Sequence, residues 1–213
     1  MPSWERHSID VSASDVYVVT HRSGLLSFLG HEHAIIPMEW SGELCVPNPM
    51  GPGAGGAILI RTPSLIIDSD SARVLADLGE GPGEDDVEEI QRTLLDGENL
   101  AAETHPVIRL ESTVQGTREE EDGWLPVQTR LTLKGQTREF QHSVDVGPTG
   151  REGGPAGALH IHGVLEVPQT AFGIEPASVA GVVNVADEVE LHFRLRTIPT
   201  GESCEPPVSS PEG

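Results

Sequence analysis

Short segments in which apolar and polar residues alternate recur along most of this 213-residue chain, separated by clusters of Gly, Pro and Asp. Residues 39–46 show the pattern clearly: Trp40, Leu44 and Val46 fall on one face, and the other face carries glutamates. Alternation with a period of two is typical of strands that have one face in a core, because successive side chains point to opposite faces of a sheet. The pattern predicts an all-β protein whose strands lie near residues 16–20, 39–46, 57–62, 107–115, 124–133, 138–146, 158–167 and 188–198.

One stretch follows a helical period instead. From Asp85 onward, apolar residues recur three, four or seven positions apart, namely Val87, Ile90, Leu94 and Leu95. This spacing places them on one face of an α-helix. A weaker helical pattern covers residues 71–78. We therefore expect one main helical excursion within the β-rich chain.

About eight or nine antiparallel strands with one helix leave two architectures, a closed barrel or a two-layer sandwich. Sequential hairpins, the clearest at residues 131–137, favour an up-and-down barrel. The interior of an eight-stranded barrel is either filled by side chains or just large enough for one small ligand. We expect one barrel domain over residues 6–198 and a disordered acidic, Pro-rich tail over residues 199–213.

Charge and hydropathy exclude several classes of protein. The chain has 13 basic and 34 acidic residues, a net charge of −21, and Lys134 is its one lysine. Such an acidic chain lacks the basic face that binds nucleic acid or anionic lipid headgroups. No apolar run approaches the roughly 20 residues that span a bilayer. We therefore expect neither a nucleic-acid partner nor a membrane span.

The ends of the chain and its cysteines predict a location. The N-terminus lacks the basic segment and apolar run of a secretory signal. Cys45 and Cys204 are far apart in the sequence, so we expect neither a disulfide framework nor a metal-binding finger. Both features favour a protein of the reducing cytoplasm.

Four segments in order resemble the YceI-like family. They are Ser8-Ile9-Asp10, the stretch 94–113 with His105-Pro106 and Ile108–Ser112, the hairpin LTLKGQT at 131–137, and Phe172-Gly-Ile-Glu-Pro176 followed by Asp187–Leu191. The resemblance implies an extended, eight-stranded, lipocalin-like antiparallel barrel with a helix against its wall. In lipid-binding members an elongated apolar cavity holds an isoprenoid chain. Residues 29–33 (LGHEH) further resemble a subgroup that contains a Gly-His-x-His segment.

Two His-x-His pairs are candidate binding groups, because residues two apart in an extended segment face the same side. In His160-Ile-His162 the central Ile161 should face the core, which leaves both histidines in solvent. His31 and His33 instead lie between apolar segments, where imidazoles need partners to offset desolvation. Those partners could be a polar cluster, a divalent transition metal (with His21 and His105 as conceivable further ligands) or a ligand headgroup at the barrel mouth.

Catalytic patterns are absent from the sequence. There is no G-x-S-x-G elbow, and the glycine-rich residues 51–56 lack the Lys-Ser/Thr of a phosphate loop. The paired carboxylates Asp68/Asp70 and Asp85/Asp86 are best explained as helix caps or solvated groups. We therefore predict no catalytic residues and a protein that is not an enzyme.

The function that fits these observations is binding of an apolar, isoprenoid-like lipid inside the barrel. The expected contacts combine apolar side chains with a histidine pair at the mouth: Phe28, Leu29, His31, His33, Phe172 and Ile174. One alternative is a metal-binding protein, catalytic or sensory, with His31 and His33 as ligands. Another is a ligand-free scaffold for interaction or stress.

Overall fold

Twelve β-strands and two α-helices make up the described part of the chain, residues 3–23, 31–117, 123–149, 155–179 and 183–206 of a computed structural model. The first six strands are β1 Ser3–Ile9, β2 Asp15–Ser23, β3 His33–Pro37, β4 Trp40–Asn48, β5 Gly55–Arg61 and β6 Leu65–Ile67. The helices follow as α1 Asp70–Leu75 and α2 Glu84–Leu95. The other strands are β7 Val107–Val114, β8 Leu125–Leu133, β9 Gln136–Pro148, β10 Leu159–Pro168, β11 Ser178–Val179 and β12 Val183–Ser203.

Eight of the strands close into a ring. Their order is β1-β4-β5-β7-β8-β9-β10-β12, and β12 pairs with β1 to complete it. All of these pairings are antiparallel. A closed eight-stranded, lipocalin-like barrel is therefore confirmed, and the two-layer alternative is not.

The strand β12 is 21 residues long and pairs with two different strands along one of its edges. Its last part, from Thr197 to Ser203, pairs with β1, whereas its earlier part, from Asn184 to Arg194, pairs with β2. The strands β2, β3 and β6 then pair in that order and lengthen the wall at one end. The barrel is thus taller on this side than the eight-stranded ring alone.

The helices cover the end of this extension. The predicted helix from Asp85 is α2, and the weaker helical pattern corresponds to α1, which lies against β3. The Gln91 side chain of α2 accepts a 2.9 Å hydrogen bond from the Ile67 amide and donates one of 2.9 Å to the Leu65 carbonyl. A helix side chain therefore makes two hydrogen bonds that a neighbouring strand would otherwise supply to β6. Neither helix has the length and hydrophobicity to cross a membrane.

The two cysteines form a disulfide, contrary to our expectation. Cys45 lies on β4 and Cys204 directly follows β12, and their Cα atoms are 5.9 Å apart. The strand between them explains the pairing, because β1 sets Arg6 opposite Cys45 on one side and Glu5 opposite Ser203 on the other. Because the two cysteines are 159 residues apart in the sequence, their proximity in the fold could not be predicted from it. The argument for a reducing compartment from the cysteines no longer holds, and β12 runs to Ser203, beyond the end of the domain that we placed at residue 198.

The interior differs between the two ends of the barrel. One end, which we call the filled half, keeps only a gap of about 80 Å³ among side chains such as Val46, Val127, Val144 and Leu195. The other, the hollow half, contains a cavity of about 760 Å³ lined by β2, β3, β6, α2 and the facing strands. The candidate site is this cavity.

Candidate functional site

The wall of the hollow half is mostly apolar because strand alternation turns one side chain in two inward. On β2 the inward residues are Val16 and Val18, and on β3 the corresponding residue is Ile35. Side chains from the other elements complete the surface: Leu65, Ile67, Ile90, Leu94, Leu131, Leu133, Val189 and Leu191. An apolar cavity of this size far exceeds the voids of an ordinary protein core.

The wall becomes polar toward one end. Along β2 the cavity-lining residues run from Val16 and Val18 to Thr20 and then Arg22. His31, which is exposed, lies at the same end as Arg22, beside the start of β3. The carboxylates of Asp86 and Glu89 on α2 also line the cavity. The cavity therefore combines an apolar interior with a polar rim, as ligand sites commonly do.

His33 is held by a buried carboxylate at the level where the wall becomes polar. Its Nδ1 atom lies 2.5 Å from Asp68 Oδ2, and the Asp68 side chain has no exposed surface. The other oxygen, Oδ1, accepts hydrogen bonds from the Ala34 amide at 3.1 Å and from Arg73 Nη1 at 2.7 Å. Three donors thus converge on one carboxylate, which fixes the orientation of the imidazole.

The protonation of Asp68 follows from these contacts. Burial opposes ionisation, but the hydrogen bonds from His33 and the Ala34 amide, together with Arg73, outweigh it and lower the pKa of Asp68. Our expectation that Asp68 is solvated or a helix cap is wrong. The cap of α1 is Ser69, whose hydroxyl accepts from the Ala72 amide. Asp68 itself has a φ of 51°, in the left-handed region that Asp tolerates better than most residues.

His21 belongs to the outer face and does not join His31 and His33. Its Nδ1 lies 3.1 Å from Glu32 and its Nε2 lies 3.2 Å from Glu190, which in turn contacts His192 at 2.8 Å. The pKa of His21 is raised, chiefly because its ring hydrogen-bonds to Glu32, and burial opposes this shift without cancelling it. A metal site that draws on His21 and His33 together is therefore not formed.

Within the described ranges, no three His, Cys, Asp or Glu side chains are placed to hold a metal ion. His33 Nδ1 is occupied by Asp68, so only its Nε2 faces other partners. His160 and His162 are each about half exposed, at 49% and 50%, beside Asp145. They lie on the outer face, as the alternation with Ile161 predicts.

The remaining predicted contacts fall in three places. Ile174 lines the cavity. Phe172 is fully buried, with its ring 6.2 Å from that of Phe140, and its carbonyl accepts a 3.0 Å bond from Gln136. Phe172 does not belong to the residues that line the cavity, and its ring packs against β9, where Arg138 lies 5.9 Å from the ring centre. Phe28 and Leu29 lie outside the described residues.

Three residues of the site are missing from our sequence-based predictions: Thr20, Asp68 and Arg73. Asp68 follows the apolar segment of β6 and lies 35 positions from His33. Only the pairing of β3 with β6, which sets Ile35 opposite Ile67, brings the two side chains together. Thr20 had a detectable signal, since it continues the inward face of Val16 and Val18 on one strand.

Comparisons with known proteins agree on the fold. The model of the YceI-like domain matches residues 8–197. The crystal structure of Burkholderia cenocepacia BcnA has 19% sequence identity and a TM-score of 0.61, and the match covers 88% of this chain and 98% of that one. The Campylobacter jejuni YCEI protein has 10% identity and a TM-score of 0.53, covering 79% and 85% respectively. No curated protein matches the chain.

Proposed function

The chain belongs to the YceI-like domain family, and from this premise we propose that it is a non-enzymatic protein that binds an apolar, isoprenoid-like lipid in the hollow half. The observation that supports the proposal is the cavity of about 760 Å³ with a mostly apolar wall. Cavities that hold small ligands have volumes of about 300–1,000 Å³.

The affinity would come from removing the chain of the ligand from water. Each buried CH₂ group contributes roughly 0.8 kcal/mol, and the entropy of association offsets part of that sum. Branched side chains from several strands line the cavity, Val18, Ile35 and Val189 among them. These offer dispersion contacts along the length of the ligand without any directional demand.

The polar rim supplies the orientation of the ligand. We assign His31 and His33 to its head and Ile174, together with Phe28 and Leu29, to its apolar part. Phe172 supports the site from outside the cavity, because its buried ring packs against Phe140 on β9. The carboxylate of Asp68 gives His33 a fixed orientation, as a recognition group requires.

The test compares lipid content in matched variants purified from the native host. Val18→Trp places a large side chain inside the hollow half, where it obstructs the ligand, whereas Val164→Trp places the same side chain at a position on β10 that is 40% exposed. We expect mass spectrometry of organic extracts to find a stoichiometric lipid in the wild type and in Val164→Trp, and its loss in Val18→Trp. The proposal fails if the wild type carries no lipid and also binds no added isoprenol.

A further inference from the structure

We propose that the site selects an apolar ligand whose polar end is a neutral hydroxyl group, held between His33 Nε2 and Thr20 Oγ1. This inference rests on the proposed function, and it names the chemistry of the ligand head. It depends on three observations: the tautomer of His33, the hydrogen-bonding state of Thr20 and the charge of the rim.

The Asp68 carboxylate determines the tautomer of His33. Both Asp68 oxygens accept hydrogen bonds, Oδ1 from Ala34 and Arg73 and Oδ2 from the imidazole. A carboxylate can only accept, so the proton of a neutral imidazole lies on Nδ1 and donates to Oδ2. Nε2 then carries a lone pair and is a hydrogen-bond acceptor. Nothing in the described part of the chain hydrogen-bonds to Nε2, and His33 lines the cavity.

Thr20 supplies the second polar group. It is directly opposite His33 in the pairing of β2 with β3, and both residues line the cavity. Its Oγ1 is buried and has no hydrogen-bond partner among the described residues. A buried hydroxyl without a partner destabilises the empty cavity. A ligand group that bonds to Thr20 would recover that loss.

The two groups together specify a hydroxyl. His33 Nε2 needs a hydrogen-bond donor. The oxygen that donates a hydrogen bond to Nε2 can at the same time accept one from the Thr20 hydroxyl. An alcohol oxygen meets both requirements with one atom, because it donates one hydrogen bond and accepts another. An ether oxygen can accept from Thr20 but leaves Nε2 without a partner.

The charges near the site disfavour an anionic head. Asp68 and Arg73 neutralise each other beneath His33. At the rim, the one cationic side chain among the cavity-lining residues, Arg22, lies 4.0 Å from Glu32, and two more carboxylates, Asp86 and Glu89, line the cavity. The rim is therefore net negative, and a carboxylate or phosphate would meet like charges on entry.

The experiment uses three probes with the same chain, dodecan-1-ol, 1-methoxydodecane and dodecanoate, titrated against the purified full-length protein at pH 7.5. We expect the alcohol to bind at least tenfold more tightly than the ether, since a site built to hydrogen-bond a hydroxyl discriminates against its absence. We also expect the alcohol to bind more tightly than dodecanoate.

Two conservative variants separate the polar contacts from the packing. Thr20→Val removes the hydroxyl at constant shape. His33→Asn keeps a side-chain donor for Asp68 but removes the Nε2 acceptor. His33→Asn should reduce the preference for alcohol over ether to less than threefold while the affinity for the ether stays unchanged, because only the alcohol donates to Nε2. Thr20→Val should weaken the alcohol and the ether by a similar factor, because the oxygen of each accepts from Thr20. Thr132→Val and His160→Asn make the same replacements on the outer wall and should leave the preference intact.

The outcomes separate the two proposals. Equal binding of alcohol and ether to the wild type, or tighter binding of dodecanoate, overturns the assignment of a hydroxyl head and leaves the lipid-binding function standing. A preference that survives in His33→Asn overturns the role of His33, and unchanged affinities for both the alcohol and the ether in Thr20→Val overturn the role of Thr20. The absence of binding by all three probes overturns the proposed function as well.

Discussion

The two halves of the barrel share the same strands and differ in what lies between them. In the filled half, the strand pairs around the ring are hydrogen-bonded, and large side chains such as Leu165, Phe193 and Leu195 line a gap of about 80 Å³. In the hollow half, β9 and β10 no longer pair beyond Val144 and Gly163, and β6 hydrogen-bonds to α2 through Gln91. Because these strands are not joined directly to a neighbouring strand, the barrel is wider here, and side chains on opposite walls are too far apart to fill the interior.

The comparison indicates a division of roles. Burial in the filled half contributes stability, because its side chains are already in contact with one another. The hollow half leaves apolar surface without partners, which is unfavourable unless a ligand covers it. Changes to interior side chains of the filled half should therefore affect unfolding, and changes to the apolar side chains that line the cavity should affect binding.

The largest expected effect comes from the disulfide near the ring closure. The double variant Cys45→Ser with Cys204→Ser should lower the free energy of unfolding by about 2–5 kcal/mol, because the bridge closes a long loop in the unfolded chain. Urea denaturation measures the loss, and the reduced wild type is the control, which should match the double variant. A large loss of lipid affinity in the still-folded variant would contradict the division of roles.

Overpacking distinguishes the halves directly. Val127→Trp places a large side chain where the remaining gap is about 80 Å³, and we expect a loss of roughly 2–3 kcal/mol in unfolding free energy. Val18→Trp faces the cavity of about 760 Å³ and should cost less than about 1 kcal/mol. Thermal and urea unfolding of both proteins measure the difference. Equal losses would mean that the hollow half is as tightly packed as the filled half.

The hydrogen bonds of Gln91 test how the hollow half is held open. Gln91→Leu leaves the Ile67 amide and Leu65 carbonyl without their partners, which should destabilise the protein by about 1–2 kcal/mol. Hydrogen exchange should show faster exchange of the Ile67 amide than in the wild type. The control Gln128→Leu, on the exposed side of β8, should change stability by less than about 0.5 kcal/mol. Unchanged exchange at Ile67 would show that α2 does not support β6.

The smallest expected effect is a pH dependence of opposite sign in the two halves. Burial lowers the pKa of His7 and His142 in the filled half. Their contribution to stability is present above the unfolded pKa of about 6.5 and is lost as the pH falls through the lowered folded pKa. The hydrogen bond to Glu32 raises the pKa of His21, so its contribution is present below about pH 6.5 and is lost as the pH rises through the folded pKa.

Unfolding of His21→Gln and His142→Asn at pH 5.5 and pH 8 measures these contributions. His21→Gln should lose stability relative to the wild type at pH 5.5 and little at pH 8, by less than about 1 kcal/mol because the His21 side chain is 39% exposed and its ion pairs are screened. His142→Asn should lose less stability than the wild type does on going from pH 8 to pH 5.5. The same pH dependence in all three proteins would contradict both assignments.

The fold was largely accessible from the sequence because its signals are local. Alternation such as that of residues 39–46, the helical spacing that begins at Asp85 and the hairpin at 131–137 depend only on nearest neighbours. The solvent-facing position of His160 and His162 follows from the same alternation. The candidate site was accessible only in part, since His33 could be identified as needing a partner but the partner could not.

What the sequence alone determined is the class of the protein: an acidic antiparallel barrel with one helical excursion and a histidine pair that requires polar contacts. The tertiary structure decided which distant residues became neighbours, above all Cys45 with Cys204 and His33 with Asp68. It also decided that one half of the barrel is filled and the other hollow. The physical reason is that periodicity is set by the backbone of a single segment, whereas contacts across the barrel depend on how the strands pair and on the diameter at which the ring closes.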